Sequence, residues 1–392
     1  MKRTAALVFV MGLIALVAIA CQPGGGAAYG GVIKIGHIAP LTGDIPKVGE
    51  EAKYSLQLWL EDVQKAGGIN VGGTKYKVNV ILEDNESKAE SAANAASKLI
   101  AENKVLAIIG PYASKQAIPA AEVANRMKTP LLSPWSTNPR TTKGRPYAFR
   151  AAFLDSFQGQ VLAKFVKEEF GAKKVAVLYD VASDYPKGLA EFFKKGCEKE
   201  GIQVVAFETF TTKDRDFSAQ LTKIINSGAD ILFTPQYYDE VPLIVKQAHQ
   251  LGWKKPIVGS DSWGSPELMK LCGQDCVGSF FSTHWAVAGA KGEAKKFIDR
   301  FKSKYGYAPG DVAALAWDSA HLLQKAIENC GKLTGNLDKD RKCIRDGLAN
   351  ISEYQGITGK MKFNKEGDPI KCAVIVRIND KQQFAFYKQA CP

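Results

Sequence analysis

The chain has 392 residues, with 52 Lys and Arg against 40 Asp and Glu, and 46% of it is apolar. That composition excludes a disordered polyelectrolyte and suffices for two domains of ordinary size. A net charge of +12 raises nucleic acid or anionic lipid as partners, but the lysines (Lys53, Lys75, Lys104, Lys128, Lys173, Lys223) are dispersed with no aromatic-interleaved basic stripe, which excludes nucleic acid.

Lys2 and Arg3 precede an apolar run, Thr4 to Ala20, which closes on Ala18-Ile19-Ala20-Cys21. A charged start, an apolar core and small residues before a cleavage point make residues 1–20 a secretory signal. Cys21 directly after that point makes it a bacterial lipoprotein signal, in which the Cys21 thiol accepts a diacylglycerol. The plainer readings are an ordinary signal peptide with an incidental Cys, or an uncleaved anchor. Residues 21–31 are Gly-rich and read as a flexible leash between lipid and fold. The expected location is a periplasm or the outer face of the cytoplasmic membrane, with the lipid as the only membrane contact.

From residue 32 the apolar period alternates between two and about 3.6. Strands are expected at 32–38, 76–82, 105–110 and 129–132, and helices at 50–65, 90–102 and 115–127, the second opened by Ser87 or its neighbours. A second series follows, with helices at 156–170, 186–200, 217–226 and 240–251 and strands at 174–179, 203–207, 231–233 and 257–259. Residues 293–305, 312–328 and 338–350 read as helices, and the last thirty as short strands. Two βα series with apolar strands mean an α/β protein of two Rossmann-like lobes with parallel sheets. Polar residues gather where these strands end: Ser114, Ser133 to Thr137, Asp180 to Tyr185, Gln236 to Tyr238, and Ser260-Asp261-Ser262. Open α/β sheets bind ligands at that edge, and two such edges face to face make a cleft.

Beyond Cys21 stand Cys197, Cys272, Cys276, Cys330, Cys343, Cys372 and Cys391. Outside the cytoplasm disulfides are the default. Nearest neighbours give 272–276, 330–343 and 372–391 as candidates, although spacing does not fix connectivity, and Cys197 is left as a buried free thiol. No metal is expected, because Cys272-x3-Cys276 is not a ribbon or finger spacing and the four His do not cluster with it. No dinucleotide fingerprint, phosphate loop, nucleophile elbow or His-Glu-x-x-His occurs. The chain is therefore read as a binder, with no catalytic residue and no cofactor.

Four segments in order carry a resemblance: Gly36-His37-Ile38-Ala39-Pro40-Leu41-Thr42-Gly43, Lys65-Ala66-Gly67-Gly68-Ile69-Asn70, Ile109-Gly110-Pro111-Tyr112-Ala113-Ser114, and Ser133-Pro134-Trp135-Ser136-Thr137-Asn138-Pro139. Over residues 32–392 the chain resembles the type I periplasmic binding proteins of the leucine/isoleucine/valine-binding family, receptors of ABC importers. The resemblance implies that Ser114 holds an amino acid's α-carboxylate at a helix N-terminus. It implies that Thr137 bridges carboxylate and ammonium, with the Trp135 carbonyl facing the ammonium. Asp261 stands where the family often has Glu, and would complete the ammonium site from the second lobe. Tyr185 and Tyr237 match aromatics that close over the ligand, Asp155 a carboxylate near the hinge, and Trp317 an aromatic at the cleft rim. Val48 stands where another aromatic is common. The bland alternatives are a helix cap for Ser114, a turn role for Thr137, a cap or solvated role for Asp261, a structural carboxylate for Asp155, and core packing for the aromatics.

The resemblance further implies a hinge of three crossovers near 153, 283 and 370, with lobe 1 formed by 32–152 plus 284–369 and lobe 2 by 153–283 plus 370–392. It implies a monomeric, lipid-anchored solute receptor that docks on a permease. Its ligand is expected to be an amino acid, branched-chain or aromatic, since the lining lacks a partner for a charged side chain. Amides and aromatic acids are the alternative ligands. A sensory module for a receptor is the second functional class, and an extracytoplasmic hydrolase using Ser114 or the pair Asp261 and Asp155 the third.

Overall fold

The computed structural model describes residues 27–392; the apolar leader and Cys21 lie outside them. The first sheet contains β1 (Val32–Ala39), β2 (Ile69–Val71), β3 (Thr74–Asp84), β4 (Ala107–Ile109), β5 (Leu131–Ser133) and β6 (Ala148–Arg150), in the order β2-β3-β1-β4-β5-β6. Only β2 runs antiparallel, folding back on β3. The register sets Ile35 between Val80 and Ala107. Every residue of β4 and β5 is buried, the mark of strands covered on both faces. The connecting helices are α1 (Pro46–Lys65), α2 (Ala89–Ala101) and α3 (Ser114–Arg126). In α1 the buried Val48, Ala52, Leu56, Trp59 and Val63 recur at helical spacing, and Pro46 fits the first turn, where no amide partner is needed.

The second sheet begins with β7 (Lys174–Asp180), β8 (Gln203–Phe210), β9 (Ile231–Phe233), β10 (Ile257–Gly259) and β11 (Phe280–Thr283). Its helices are α4 (Asp155–Phe170), α5 (Asp184–Glu200), α6 (Ser218–Asn226), α7 (Val241–Gln250) and α8 (Glu267–Cys272). The chain then forms α9 (Gly292–Tyr305), α10 (Asp311–Glu328) and α11 (Leu337–Ala349), and a small antiparallel sheet of β12 (Glu353–Gly356), β13 (Gly359–Phe363) and β14 (Pro369–Ile370). Finally β15 (Ala373–Ile378) and β16 (Phe384–Ala390) rejoin the second sheet antiparallel, giving the order β16-β15-β11-β10-β9-β7-β8. Helix α10 packs on α1 and reaches β4 and β5, where Ser55 donates to the Ala313 carbonyl (2.7 Å) and the Trp59 indole to Gln324 (2.8 Å). The molecule is thus a two-lobed α/β protein with parallel-dominated sheets.

Three local findings differ from the sequence reading. Ala28–Gly31, the end of the expected leash, forms a short turn, and Tyr29 docks by donating to the buried Asp340 (2.6 Å). Ser87 does not cap α2; its hydroxyl donates to the Thr42 carbonyl (2.9 Å), and Lys88 precedes the helix. The strands β2, β6 and β11 were not expected, being three or four residues long.

Disulfides join Cys272 to Cys276, Cys330 to Cys343, and Cys372 to Cys391, and Cys197 is a buried free thiol. Among the described residues no helix is long and apolar enough to cross a membrane, and no group of three or more His, Cys, Asp or Glu is arranged to hold a metal.

Candidate functional site

The carboxyl ends of the two sheets face each other, and loops from both meet. Asn138 donates to the Asp184 carbonyl (2.9 Å), Arg140 pairs with the Asp184 carboxylate (2.7 Å), and the Lys47 amide donates to the Tyr238 hydroxyl (3.1 Å). The two lobes are therefore closed on one another. Ala113, Ser114, Trp135, Tyr185, Tyr237 and Asp261 line one small cavity between them.

From the first lobe, β4 is followed by Gly110, whose φ of +94° and the 2.1 Å that would separate a Cβ from the Ile38 carbonyl oxygen admit only glycine. This turn delivers Ser114 as the first residue of α3, where first-turn amides have no partner within the helix. The Ser114 hydroxyl meets Ser136 (2.9 Å) and accepts from the Asn138 amide (3.3 Å). Ser133 at the end of β5 donates to the Pro111 carbonyl (2.6 Å), so the loops after β4 and β5 are tied together. The Thr137 hydroxyl is fully buried and acts on the Asp155 carboxylate, favouring its ionised form. Arg150, at the end of β6 and fully buried, fixes the loop carrying Thr137. Its guanidinium donates to the carbonyls of Ser136 (2.8 Å) and Asn138 (2.9 Å) and to Thr142 (2.8 Å), and pairs with Asp368 (2.7 Å).

From the second lobe, β10 ends at Gly259, where a Cβ would lie 2.2 Å from the Trp263 ring. Glycine there lets the indole fold under the strand end and donate to the Thr234 carbonyl (3.2 Å), holding the short turn Asp261–Trp263. Asp261 is 1% exposed. Its Oδ1 accepts from Gln158 (2.7 Å) and Tyr185 (2.6 Å), and its Oδ2 lies 3.4 Å from His284 Nε2. Burial holds the His284 imidazole below its ordinary pKa, so its neutral form is favoured. Tyr185 and Tyr237 pack at 5.4 Å, and Tyr237 meets Trp135 at 6.0 Å across the cleft. Burial, then the Asp261 charge, pushes both phenols well above their ordinary range.

Asp155 opens α4 and is fully buried, and the Thr137 hydroxyl favours its ionised form. Burial and then the neighbouring Asp261 charge hold it well above the usual carboxylate range. A carboxylate that the sequence did not single out, Asp311, stands behind Trp135. It accepts from the Trp135 indole (3.4 Å) and from Thr283 (3.0 Å), and burial, then Asp261, pushes it up to about 7.

Seven of the eight expected residues thus gather in and around the cleft. Trp317 does not. It lies on α10 beside Phe297 (5.1 Å) and His321 (4.5 Å), and lines a different cavity behind the hinge. Val48 is buried in the core. Gln158, His284, Arg150 and Asp311 are the contributors the sequence did not reveal; each acts through a partner distant in the chain, and none sits in a local pattern.

This arrangement opposes hydroxyls and helix amides to buried carboxylates across a closed aromatic cavity, which suits a ligand with an anionic and a cationic end. A family model described as periplasmic binding protein matches residues 32–383. The Leu/Ile/Val-binding protein BraC3 of Rhizobium johnstonii is 29% identical over 338 residues, covering 86% of this chain and 88% of that one. The leucine-, isoleucine-, valine-, threonine- and alanine-binding protein of Pseudomonas aeruginosa is 28% identical, covering 86% and 87%. Among solved structures, the leucine-binding protein LivK of Thermotoga maritima superposes with a TM-score of 0.85 at 35% identity, covering 92% of this chain and 99% of that one. The substrate-binding protein LivJ of Streptococcus pneumoniae, in complex with isoleucine, gives 0.82 at 32% identity, covering 92% and 99%. Fold, cleft and these likenesses agree: the chain belongs to the type I periplasmic binding proteins, the solute-binding and non-enzymatic family that includes the Leu/Ile/Val-binding proteins.

Proposed function

We propose that this chain is the receptor of an ABC importer, tethered through lipid on Cys21 outside the cytoplasm, and that it binds an amino acid with a branched aliphatic or aromatic side chain. The observation that carries the reading is the unpaired charge of the second lobe. Asp261 is buried beside Asp155, whose own ionisation burial suppresses, and among the described residues only the weakly basic His284 stands within ion-pair distance of Asp261. A buried carboxylate without a counterion costs several kcal/mol, which an incoming ammonium relieves. The ligand's own carboxylate then belongs at Ser114 and the α3 amides, and Thr137 joins the two ends. Ala113, Trp135, Tyr185 and Tyr237 leave an apolar wall for the side chain. The relatives' binding of leucine, isoleucine and valine supports the same ligand class.

In this reading the lobes are 32–152 with 284–369, and 153–283 with 370–392, and ligand contacts to both stabilise closure. The permease recognises the closed form.

The test is calorimetric titration of refolded protein, stripped of co-purified ligand, against the common amino acids. Micromolar or tighter binding of leucine, isoleucine, valine or phenylalanine is expected, about −8 kcal/mol, with loss in Asp261→Ala. Silence across the panel from folded protein overturns the amino-acid assignment. Labelling with radioactive palmitate, lost in Cys21→Ser, tests the anchor.

A further inference from the structure

Behind His284, whose other side lies 3.4 Å from Asp261 in the cleft, is a cavity of about 800 Å³. Its walls come from both lobes: the segment leading into α9, the Trp317–His321 face of α10 and the β12–β13 turn on one side, and Val374, Phe386 and Gln389 of the last two strands on the other.

At its inner wall is Lys371, 3% exposed, in the short link between β14 and β15. An ammonium carries three donors. Lys371 uses one, to the Thr358 hydroxyl (2.7 Å), and forms no ion pair among the described residues. Its counterion is Asp318, reached through Thr358: that carboxylate accepts from the Ile357 amide (2.9 Å), the Thr358 amide (3.0 Å) and the same Thr358 hydroxyl (2.6 Å). Two of the three ammonium donors stay unused, and the outer charges of the lining are engaged elsewhere. Lys360 is taken by Glu353 (2.7 Å), Glu293 by Lys296 (2.7 Å), and Lys291 adds a further cation. Burial pushes the Lys371 ammonium down to about 8, against the opposing charges of Asp318 and Asp311. Around it stand Trp317, His321, Tyr354 and Phe386, the last 52% exposed although large and apolar.

We propose that this cavity is a second binding site, for a small aromatic carboxylate, whose anionic end pairs with Lys371 and whose ring lies against Trp317, Tyr354 and Phe386. The site is distinct from the interlobe cleft, with His284 as the wall between them, and does not rest on the amino-acid reading. It spans both lobes, so its occupant braces the hinge from behind.

The probe is benzoate, titrated calorimetrically into the full mature chain with the cleft saturated by leucine, or into Ser114→Ala/Asp261→Ala protein if leucine does not bind. Expected is a Kd of about 1 mM or tighter, weakened about tenfold or more in Lys371→Met and largely kept in Lys371→Arg. Neutral benzamide is expected to bind about tenfold more weakly than benzoate. Should Lys371→Met fail to fold, Phe386→Ala, at an exposed position, is expected to weaken benzoate as well. No binding from folded protein, displacement of benzoate by leucine, or equal binding by benzamide overturns the proposal. So does affinity unchanged in both Lys371→Met and Phe386→Ala.

Discussion

The two lobes hold their cleft residues by opposite means. In the first, a buried cation does the holding: Arg150 clamps the loop of Thr137 through two carbonyls and a hydroxyl, and Asp368 neutralises it. In the second, neutral donors hold a bare anion: Gln158 and Tyr185 orient Asp261, and Asp155 lies near it with the Thr137 hydroxyl. The first lobe is electrostatically finished before any ligand arrives, whereas the second keeps unbalanced negative charge. The contrast teaches where stability and affinity separate. Removing charge from the first lobe is expected to cost folding, and removing it from the second to cost binding.

Arg150→Ala is the severest way to test this. It leaves Asp368 buried and unpaired, so a loss of about 3–5 kcal/mol in denaturant unfolding is expected. Arg150→Lys is expected to recover little, because a point charge does not reproduce the guanidinium fork. Asp261→Asn sharpens the contrast from the other side. Leucine binding is expected to fall by about 3 kcal/mol, on the order of a hundredfold in Kd, with the unfolding midpoint unchanged or raised. Equal damage to stability from Asp261→Asn would erase the distinction. Ser114→Ala removes one hydroxyl from the anion side, and calorimetry is expected to read about tenfold weaker binding.

The smallest expected effect is on pH dependence. Glu51, buried in α1 and accepting from the Gly310 amide (3.0 Å), is pushed up to about 8 by burial. Its folded state holds the proton more tightly than the unfolded chain does. The stability this confers is present in full below the ordinary value of 4.5 and is lost as pH rises through about 8. A fall in Tm between pH 5 and 8.5 is expected, on the order of 2–4 °C for each kcal/mol, and Glu51→Gln is expected to flatten it.

Much of the architecture was legible in sequence because long apolar runs have a period. The strands at Ile231–Phe233 and Ile257–Gly259 coincide with the expected ones, and the helices agree within a few residues. Short antiparallel pieces were not legible: Ile69–Val71 is fixed by pairing with Thr74–Tyr76, and three residues carry no period of their own. The pairing of Cys272, Cys330 and Cys372 with their nearest neighbours coincides with the spacing candidates, although spacing alone had left them open. In the cleft, residues at strand ends announced themselves by position. Arg150, Gln158 and Asp311 did not, since each matters through a partner remote in sequence: Asp368, Asp261 and Trp135. Trp317 shows the converse, since its face of α10 turns to Phe297 and away from the cleft.

The packing of α10 on α1 has a consequence for how the protein is made. Ser55 and the fully buried Trp59 are covered by a helix that begins at Asp311, far beyond the last strand of their own sheet. At a synthesis rate of about 5–20 residues per second, that helix emerges roughly 10–30 s after Arg150. Throughout that interval the face of α1 that carries Ser55 and Trp59 has no α10 cover, and the first lobe cannot reach its native packing. A chain in transit to the far side of a membrane is served by such a delay, because a translocation channel passes unfolded polypeptide. For a chain exported as proposed, late arrival of α10 keeps the amino-terminal half threadable while export begins.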